Sequence, residues 1–377
     1  MRVSAPHRDD LSLSQKLGRL SFGLIVLVVS VTLVGLAMLY SAAHGAAEPW
    51  MSKQAIRAGI GIVIMIAIAV TDIRTWARWS YAIYAVALLL VVYVEVAGQV
   101  GMGAQRWIDL KFLQLQPSEL MKIALIMALA RYFHDLSLDA IGKPTRLILP
   151  IFLAIVPALL VLKQPDLGTA GVLLLAGASV FFVAGVRWWK FVIVLMIALA
   201  AFPIAWNHMR DYQKNRIMTF LDPESDMLGA GYHITQSKIA LGSGGITGKG
   251  FLKGSQSHLD FLPERHTDFI FTMYAEEFGL LGGIVLLALY ALLVLYGYVI
   301  ANRSRSHFGR LLAVGLSVNL FLYFSINTAM VTGLIPVVGV PLPLVSYGGT
   351  ALIAVLAGFG LLMSVNIHRD QKVGGTR

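Results

Sequence analysis

The sequence predicts an all-α polytopic membrane protein, with about ten transmembrane helices and a large extracytoplasmic loop between the seventh and the eighth. Hydrophobic residues make up 57% of the 377 and charged residues only 13%, whereas about a quarter of a soluble domain is charged. Apolar runs follow one another from end to end, each near the roughly twenty residues that cross a bilayer, and leave no room for a separate soluble domain. One membrane domain over residues 1–377 is therefore expected, with polar tails at 1–20 and 366–377.

In chain order the expected spans are Phe22–Tyr40, Ala55–Val70, Trp76–Val96, Ser118–Phe133, Leu147–Leu162, Thr169–Val186, Trp189–Trp206, Asp268–Ile300, Leu311–Leu334 and Gly348–Val365. The first apolar run is too long for the core of a cleaved signal, so it reads as a retained helix. The run from Asp268 exceeds what a bilayer needs and is expected to tilt or project. Ten spans put both termini on one side. More than half of the 30 Lys and Arg fall on the loops and tails of that side, which makes it cytoplasmic. The net charge of +10 is thereby explained without nucleic acid. Cysteine is absent, which excludes disulfides and thiol chemistry.

The opposite face receives the 207–267 loop and two shorter ones, Gly98–Pro117 and Ile335–Tyr347, and these carry the polar motifs. Gly242–Gly250 has the look of a phosphate-binding loop. Its first required glycine is Ser243, however, and Gly250 stands where Ser or Thr should follow the lysine, so nucleotide binding is rejected. What remains is either a small-residue backbone open to an anion, with Lys249 adding charge, or a flexible re-entrant loop. Residues 232–241 suit a short helix at the interface. Pro117 marks a helix start, and Glu119 and Lys122, three apart, share a face as a structural pair or as part of a cavity. Arg106 and Trp107 enter the same outer region, as anchors or as site residues. Asp166 either caps the next helix or serves the site, and Asn319, Ser325, Asn327 and Thr328 suit helix-to-helix hydrogen bonds. Asp268 stands at the mouth of the long eighth span, with Thr272, Ala275 and Gly279 expected to leave a groove beside it. A carboxylate there is costly unless it is paired or used. It reads either as a functional group or as a helix-end carboxylate whose pKa the helix dipole lowers.

The segments GAQRW (103–107), LQPSELMKIA (115–124), QPDLGTA (164–170), GYHITQSKIALGSGGITGKG (231–250), FLPERHTDFIF (261–271), AEEFGLLG (275–282) and PLPLVSYGG (341–349) together resemble the SEDS family of shape, elongation, division and sporulation proteins. They are closer to its rod-shape branch than to its cell-division branch, and Thr350 stands where serine is expected. The resemblance implies a multi-pass protein of the bacterial inner membrane. It would be a peptidoglycan glycosyltransferase that polymerises lipid II on the periplasmic face, releases undecaprenyl pyrophosphate and maintains rod shape. It further implies work with a class B penicillin-binding protein, a transpeptidase, in a larger elongation complex. Through HTDF the family's catalytic aspartate falls on Asp268, and through QPSELMK its membrane carboxylate and lysine fall on Glu119 and Lys122. Arg106, Lys122, Lys249 and Arg265 are the cations available to pyrophosphate, with His266 beside them, and a divalent cation, Mg2+ or Mn2+, could be held partly by Asp268. A lipid II flippase and a noncatalytic scaffold that activates the transpeptidase are the alternatives.

Overall fold

The computed structural model describes residues 11–101, 104–109, 114–209, 211–222, 230–258, 264–371 and 373, so parts of both expected tails and of the 207–267 loop, and Gly103 of the GAQRW motif, lie outside the described residues. A short amphipathic turn, α1 (Leu13–Gly18), opens with a capping box between Ser12 and Gln15. The chain then runs through α2 (Phe22–Ala42), α3 (Met51–Val70) and α4 (Ile73–Ala97). The Gly98–Pro117 loop departs from the all-α expectation by folding as three short antiparallel strands, β1 (Gln99–Gly101), β2 (Ala104–Asp109) and β3 (Gln114–Leu115), with Gln99 opposite Trp107 and Asp109 opposite Gln114. There follow α5 (Pro117–His134), α6 (Leu138–Ile141), α7 (Pro144–Lys163), α8 (Leu167–Ala184), α9 (Trp188–His208), α10 (Asp211–Leu221), α11 (Ala230–Ser243), α12 (Ser255–His258), α13 (Ile270–Arg303), α14 (His307–Val331) and α15 (Gly349–Ile367).

All ten expected spans are helices, and eight of them, α2, α3, α4, α7, α8, α13, α14 and α15, are long and apolar enough to cross a membrane. Helix α9 is apolar over Trp188–Ile204 among the described residues, and residues such as Val194, Ile197 and Ile204 are exposed along it. Helix α5 carries Glu119, Lys122 and Arg131 and is polar by composition, yet it is buried on nearly every face because α4, α7, α8, α14 and α15 surround it. Its charges point into protein rather than lipid, the arrangement under which ionisable groups at membrane depth are tolerated.

Helix α13 is two helices joined at Gly279, whose φ of 68° and ψ of −167° break the helical ladder. The break deprives Leu280 and Leu281 of their usual acceptors, the carbonyls of Glu276 and Glu277, and a buried unpaired backbone group is expensive. The glycine loop supplies all four missing partners. Leu280 and Leu281 donate to the carbonyls of Gly245 and Ile246 at 2.9 and 3.1 Å, while Lys249 and Gly250 donate to those of Glu276 and Glu277 at 3.1 and 2.9 Å. The loop is therefore seated in the break and not a flexible connection, and its glycines bring backbone against backbone: a Cβ on Gly248 would sit 2.1 Å from the Glu277 carbonyl oxygen, and one on Gly244 2.3 Å from that of Ala275. Thr272 meets Ser237 of α11 through their hydroxyls at 2.7 Å. The groove expected beside Thr272, Ala275 and Gly279 is therefore filled by α11 and the glycine loop.

Gly248→Ala should destabilise the protein by more than about 1 kcal/mol, because it adds a backbone clash to a positive φ of 80°. Thermal unfolding in detergent checks this; an unchanged midpoint would mean that the loop is not seated in the break.

Candidate active site

Asp268 lies two residues before the first turn of α13, in a tight turn shaped by Glu264. The Glu264 carbonyl accepts from the amides of Thr267 and Phe269 at 3.0 and 3.3 Å, and its carboxylate accepts from the Thr267 hydroxyl at 2.7 Å. The apolar, proline-rich loop 335–348 closes over this turn by hydrogen bonds to its backbone carbonyls. Ser346 donates its hydroxyl to the Thr267 carbonyl at 2.6 Å, and the Tyr347 amide donates to that of His266 at 2.8 Å. Gln54 of α3 clamps the loop from below by donating to the Ser346 carbonyl at 2.9 Å. From α14, the Asn327 amide group donates to the carbonyls of both Asp268 and Val340, at 2.9 and 2.7 Å, tying the aspartate's own backbone to the loop. Gly339 has a φ of 73°, and a Cβ there would lie 3.4 Å from Oδ2 of Asp268, so the loop backbone borders the carboxylate itself.

Among the described residues no hydrogen-bond donor meets the Asp268 carboxylate, and Phe269, not Asp268, is the N-cap of α13. The helix-end reading, with its lowered pKa, is thereby corrected. Burial pushes the Asp268 pKa up to about 6, and the negative charges of Glu264 and Asp166 add to the rise, outweighing Arg216 and Arg106, which oppose it.

Arg106 is carried by β2 against the turn before α8. Its Nε donates to the Gln164 carbonyl at 3.0 Å, a second nitrogen bonds the Pro165 carbonyl, and a third lies 3.6 Å from Asp166. Asp166 does cap α8, accepting from the Thr169 amide at 3.1 Å, and its charge also acts on Asp268. The Thr350 hydroxyl bonds the carbonyl of Gln114 and accepts from the amide of Gln116 at 3.2 Å, fixing β3 to the start of α15; a serine would offer the same group.

The remaining residues expected in the site are held elsewhere. Lys249 is bound to Glu276 at 2.7 Å, a carboxylate with no exposed surface that also accepts from the Gln256 amide. Glu277 accepts from the Ser41 hydroxyl of α2. Arg265 points toward the end of α2, donating to the Ala42 carbonyl at 3.2 Å and contacting His44, and burial lowers its pKa. His266 stacks on Trp50 with ring centroids 4.4 Å apart and has Tyr347 on its other side; burial, above all, lowers its pKa and favours the neutral imidazole. Lys122 and Glu119 pair at 2.7 Å with 2% and 4% of their side chains exposed, and Tyr323 donates to the second Glu119 oxygen while Lys122 rests 4.2 Å from the centre of its ring. Neither is among the charged groups that act on Asp268. Arg216 on α10 and Gln54 belong to the site's structure and carry no motif that sequence reading alone would single out, and Asn327, expected to bond between helices, instead bonds the backbone of Asp268 and Val340.

As for a metal, no three His, Cys, Asp or Glu side chains converge among the described residues. The donor set does not fit a protein-built metal centre; Asp268 could contribute one ligand, with phosphate oxygens of a substrate completing an Mg2+ or Mn2+ shell.

Comparison with known proteins places this geometry. Residues 20–371 match the model of the FtsW, RodA and SpoVE group of cell cycle proteins. The chain belongs to this family. It is 46% identical over 347 residues to the peptidoglycan glycosyltransferase MrdB of Escherichia coli K12, covering 92% of this chain and 93% of that one. It is 38% identical to the MrdB of Helicobacter pylori J99, over 84% and 83% of the two chains, and 38% identical to a probable FtsW of Trichlorobacter lovleyi, over 91% and 92%. Among solved structures, the rod shape determining protein RodA of Thermus thermophilus superposes with a TM-score of 0.71 at 30% identity, over 93% of this chain and 98% of that one. A chain from a peptidoglycan synthase complex, described as coordinating polymerization and crosslinking, superposes with a TM-score of 0.79 at 33% identity, over 93% and 98%.

Removing one member of the Glu119–Lys122 pair leaves the other charge buried, at a cost of about 3–5 kcal/mol. Glu119→Ala and Lys122→Ala should each lower folded yield, with partial recovery in the double variant, as size-exclusion chromatography would show. Well-folded but inactive single variants would instead argue for contact with substrate.

Proposed function

We infer that the chain is a peptidoglycan glycosyltransferase that polymerises lipid II during cell elongation, with Asp268 as its general base. The observation that supports the base is that Asp166 and Glu264, the carboxylates that act on it, are matched by donors, whereas Asp268 is partly buried and unmatched among the described residues, with its pKa raised to about 6. A base of that strength is ionised at neutral pH and still basic enough to accept a proton in the transition state.

In the step proposed, the Asp268 carboxylate accepts the proton of the acceptor sugar's 4-hydroxyl as that oxygen attacks the anomeric carbon of the growing strand. The bond from that carbon to undecaprenyl pyrophosphate breaks, the configuration inverts, and the pyrophosphate leaves with the bonding electrons. Arg106 and Arg216, whose fields reach Asp268, are placed to offset the charge that develops on the leaving group. Lys249, Arg265 and Lys122 hold the scaffold through the partners described above, and Glu119 and His266 position the helices and the loop around the base. A divalent cation held between Asp268 and the pyrophosphate would supply further charge neutralisation.

The excess of Lys and Arg on the tails and short loops argues that both termini are cytoplasmic and that the Asp268 end faces the periplasm. A class B penicillin-binding protein is the transpeptidase partner we propose, in keeping with the synthase complex whose chain this one resembles. A flippase is less well supported, since Glu119, Lys122 and Glu276 are tied up in pairs rather than strung along a path.

Asp268→Asn should fold, bind the transpeptidase and make glycan strands about a hundred- to ten-thousandfold more slowly in a gel assay with labelled lipid II. In the parent protein, polymerisation should rise as pH climbs through about 6 and level off above it. Stability runs the other way. The folded pKa lies above the ordinary value of 3.8, so the buried carboxylate costs nothing below that value and its full price above about 6. Asp268→Asn should therefore unfold at a higher temperature than the parent at pH 8, and that advantage should vanish near pH 4. Reporter fusions in the 207–267 loop should read periplasmic; a cytoplasmic signal there would reverse the orientation proposed.

A further inference from the structure

At the end of the bundle opposite Asp268, the start of α2, the last turns of α13 and the end of α15 enclose a crevice of about 490 Å³, within the range that holds a ligand. Gly23 lets α2 come close to Tyr296 of α13, where a Cβ would lie 3.3 Å from the tyrosine oxygen, and Asn366 closes the floor by donating to the Ser21 hydroxyl at 2.9 Å. The walls are apolar and exposed: Phe22 is 76% exposed, Leu295 56% and Leu292 47%. These are surfaces of helices long and apolar enough to cross a membrane, so the crevice opens sideways onto lipid and acyl chain is what meets its walls.

Its mouth is basic. Arg303, in the last turn of α13, lines the crevice and has neither a carboxylate nor a hydrogen-bond acceptor among the described residues. Arg369 also lines it, and its nearest carboxylate is Asp370 at 4.0 Å, which also serves Arg19 at 3.9 Å. Two guanidinium groups thus share one carboxylate, and a third has none among the described residues, beside an apolar slot. A bare cation at a helix end above a lipid-facing hollow matches a molecule with a phosphate at one end and hydrocarbon at the other.

We propose that this crevice is a binding site for an anionic glycerophospholipid, with Arg303 and Arg369 on the phosphate and an acyl chain against Phe22, Leu292 and Leu295. The site is remote from the glycosyl-transfer chemistry and does not depend on that assignment. Helix α13 connects the two ends, since the helix that ends at Arg303 begins two residues after Asp268. A lipid seated here would brace the lower half of that helix against α2 and α15.

The test is native mass spectrometry of the full chain, delipidated in detergent and then offered phosphatidylglycerol or phosphatidylcholine with the same acyl chains. Phosphatidylglycerol should be retained several-fold more than phosphatidylcholine. The Arg303→Gln, Arg369→Gln double variant should bring the two to the same level. Because those arginines also bias membrane insertion, Val299→Trp provides a second route, filling the crevice while leaving the charges in place; it too should abolish the preference. Equal retention of both lipids by the parent, or an undiminished preference in either variant once correctly folded, would overturn the proposal. Displacement of phosphatidylglycerol by millimolar inorganic phosphate alone would also overturn it, by showing that the site reads free phosphate.

Discussion

The backbone exchange at Gly279 is the interaction on which the upper half of the molecule depends. A helix cannot be interrupted in a low dielectric unless the freed amides and carbonyls are paired again, and here a single loop pairs all four across the break. Only residues without a side chain can come this close: Gly244, Gly248 and Gly279 each lie where a Cβ would overlap backbone atoms. The same seat explains two buried acids. Glu276 holds the loop through Lys249 and the Gln256 amide, and Glu277 holds α2 through Ser41, so charges that look functional by their depth are the rivets of the joint.

With that joint fixed, the first turn of α13 and the segment before it become rigid enough to present one carboxylate. The 335–348 loop, anchored by Gln54 and Asn327, grips residues 266–268 through their backbone carbonyls and leaves the Asp268 side chain without a donor among the described residues. Because the grip falls on the backbone and spares the side chain, no donor offsets the burial and the charges of Glu264 and Asp166 that raise the pKa. Had Asn327 donated to the carboxylate instead of the carbonyl, the charged form would have been favoured and the base weakened.

Much of this was legible in the sequence, for reasons that can be located. Length and hydrophobicity fix a helix wherever lipid surrounds it, so the ten helices were found even though α5, with its three charged residues, falls short as a membrane span by polarity. Asp166 as a cap, Pro117 as a helix start and the Glu119–Lys122 pair are local relations three residues or fewer in span, and the structure keeps all three. What the sequence hid is long-range. Gly279 was read as part of a smooth groove because a lone glycine in an apolar helix carries no sign of which loop will dock on it. Lys249 and Arg265 looked available for substrate because their partners, Glu276 and the Ala42 carbonyl, lie 27 and 223 residues away in the chain. The small sheet was missed because its strands are only two to six residues long.

Charge pairing then becomes a means of discrimination between carboxylates. A membrane protein cannot leave an acid enclosed without cost, so each unmatched one requires an explanation and each matched one already has its own. Glu119 is matched by Lys122 and Tyr323, Glu276 by Lys249, Asp166 by Arg106 and the α8 amide, and Glu264 by Thr267. Asp268 has instead two carboxylates whose fields raise its pKa and two arginines too weakly coupled to restore it. That imbalance destabilises the resting protein at neutral pH, and it is tolerated because the backbone around it is over-determined by the two loops and the broken helix. On the proposal that Asp268 is the general base, the stability lost in enclosing the acid would return as proton affinity where a substrate hydroxyl gives up its proton.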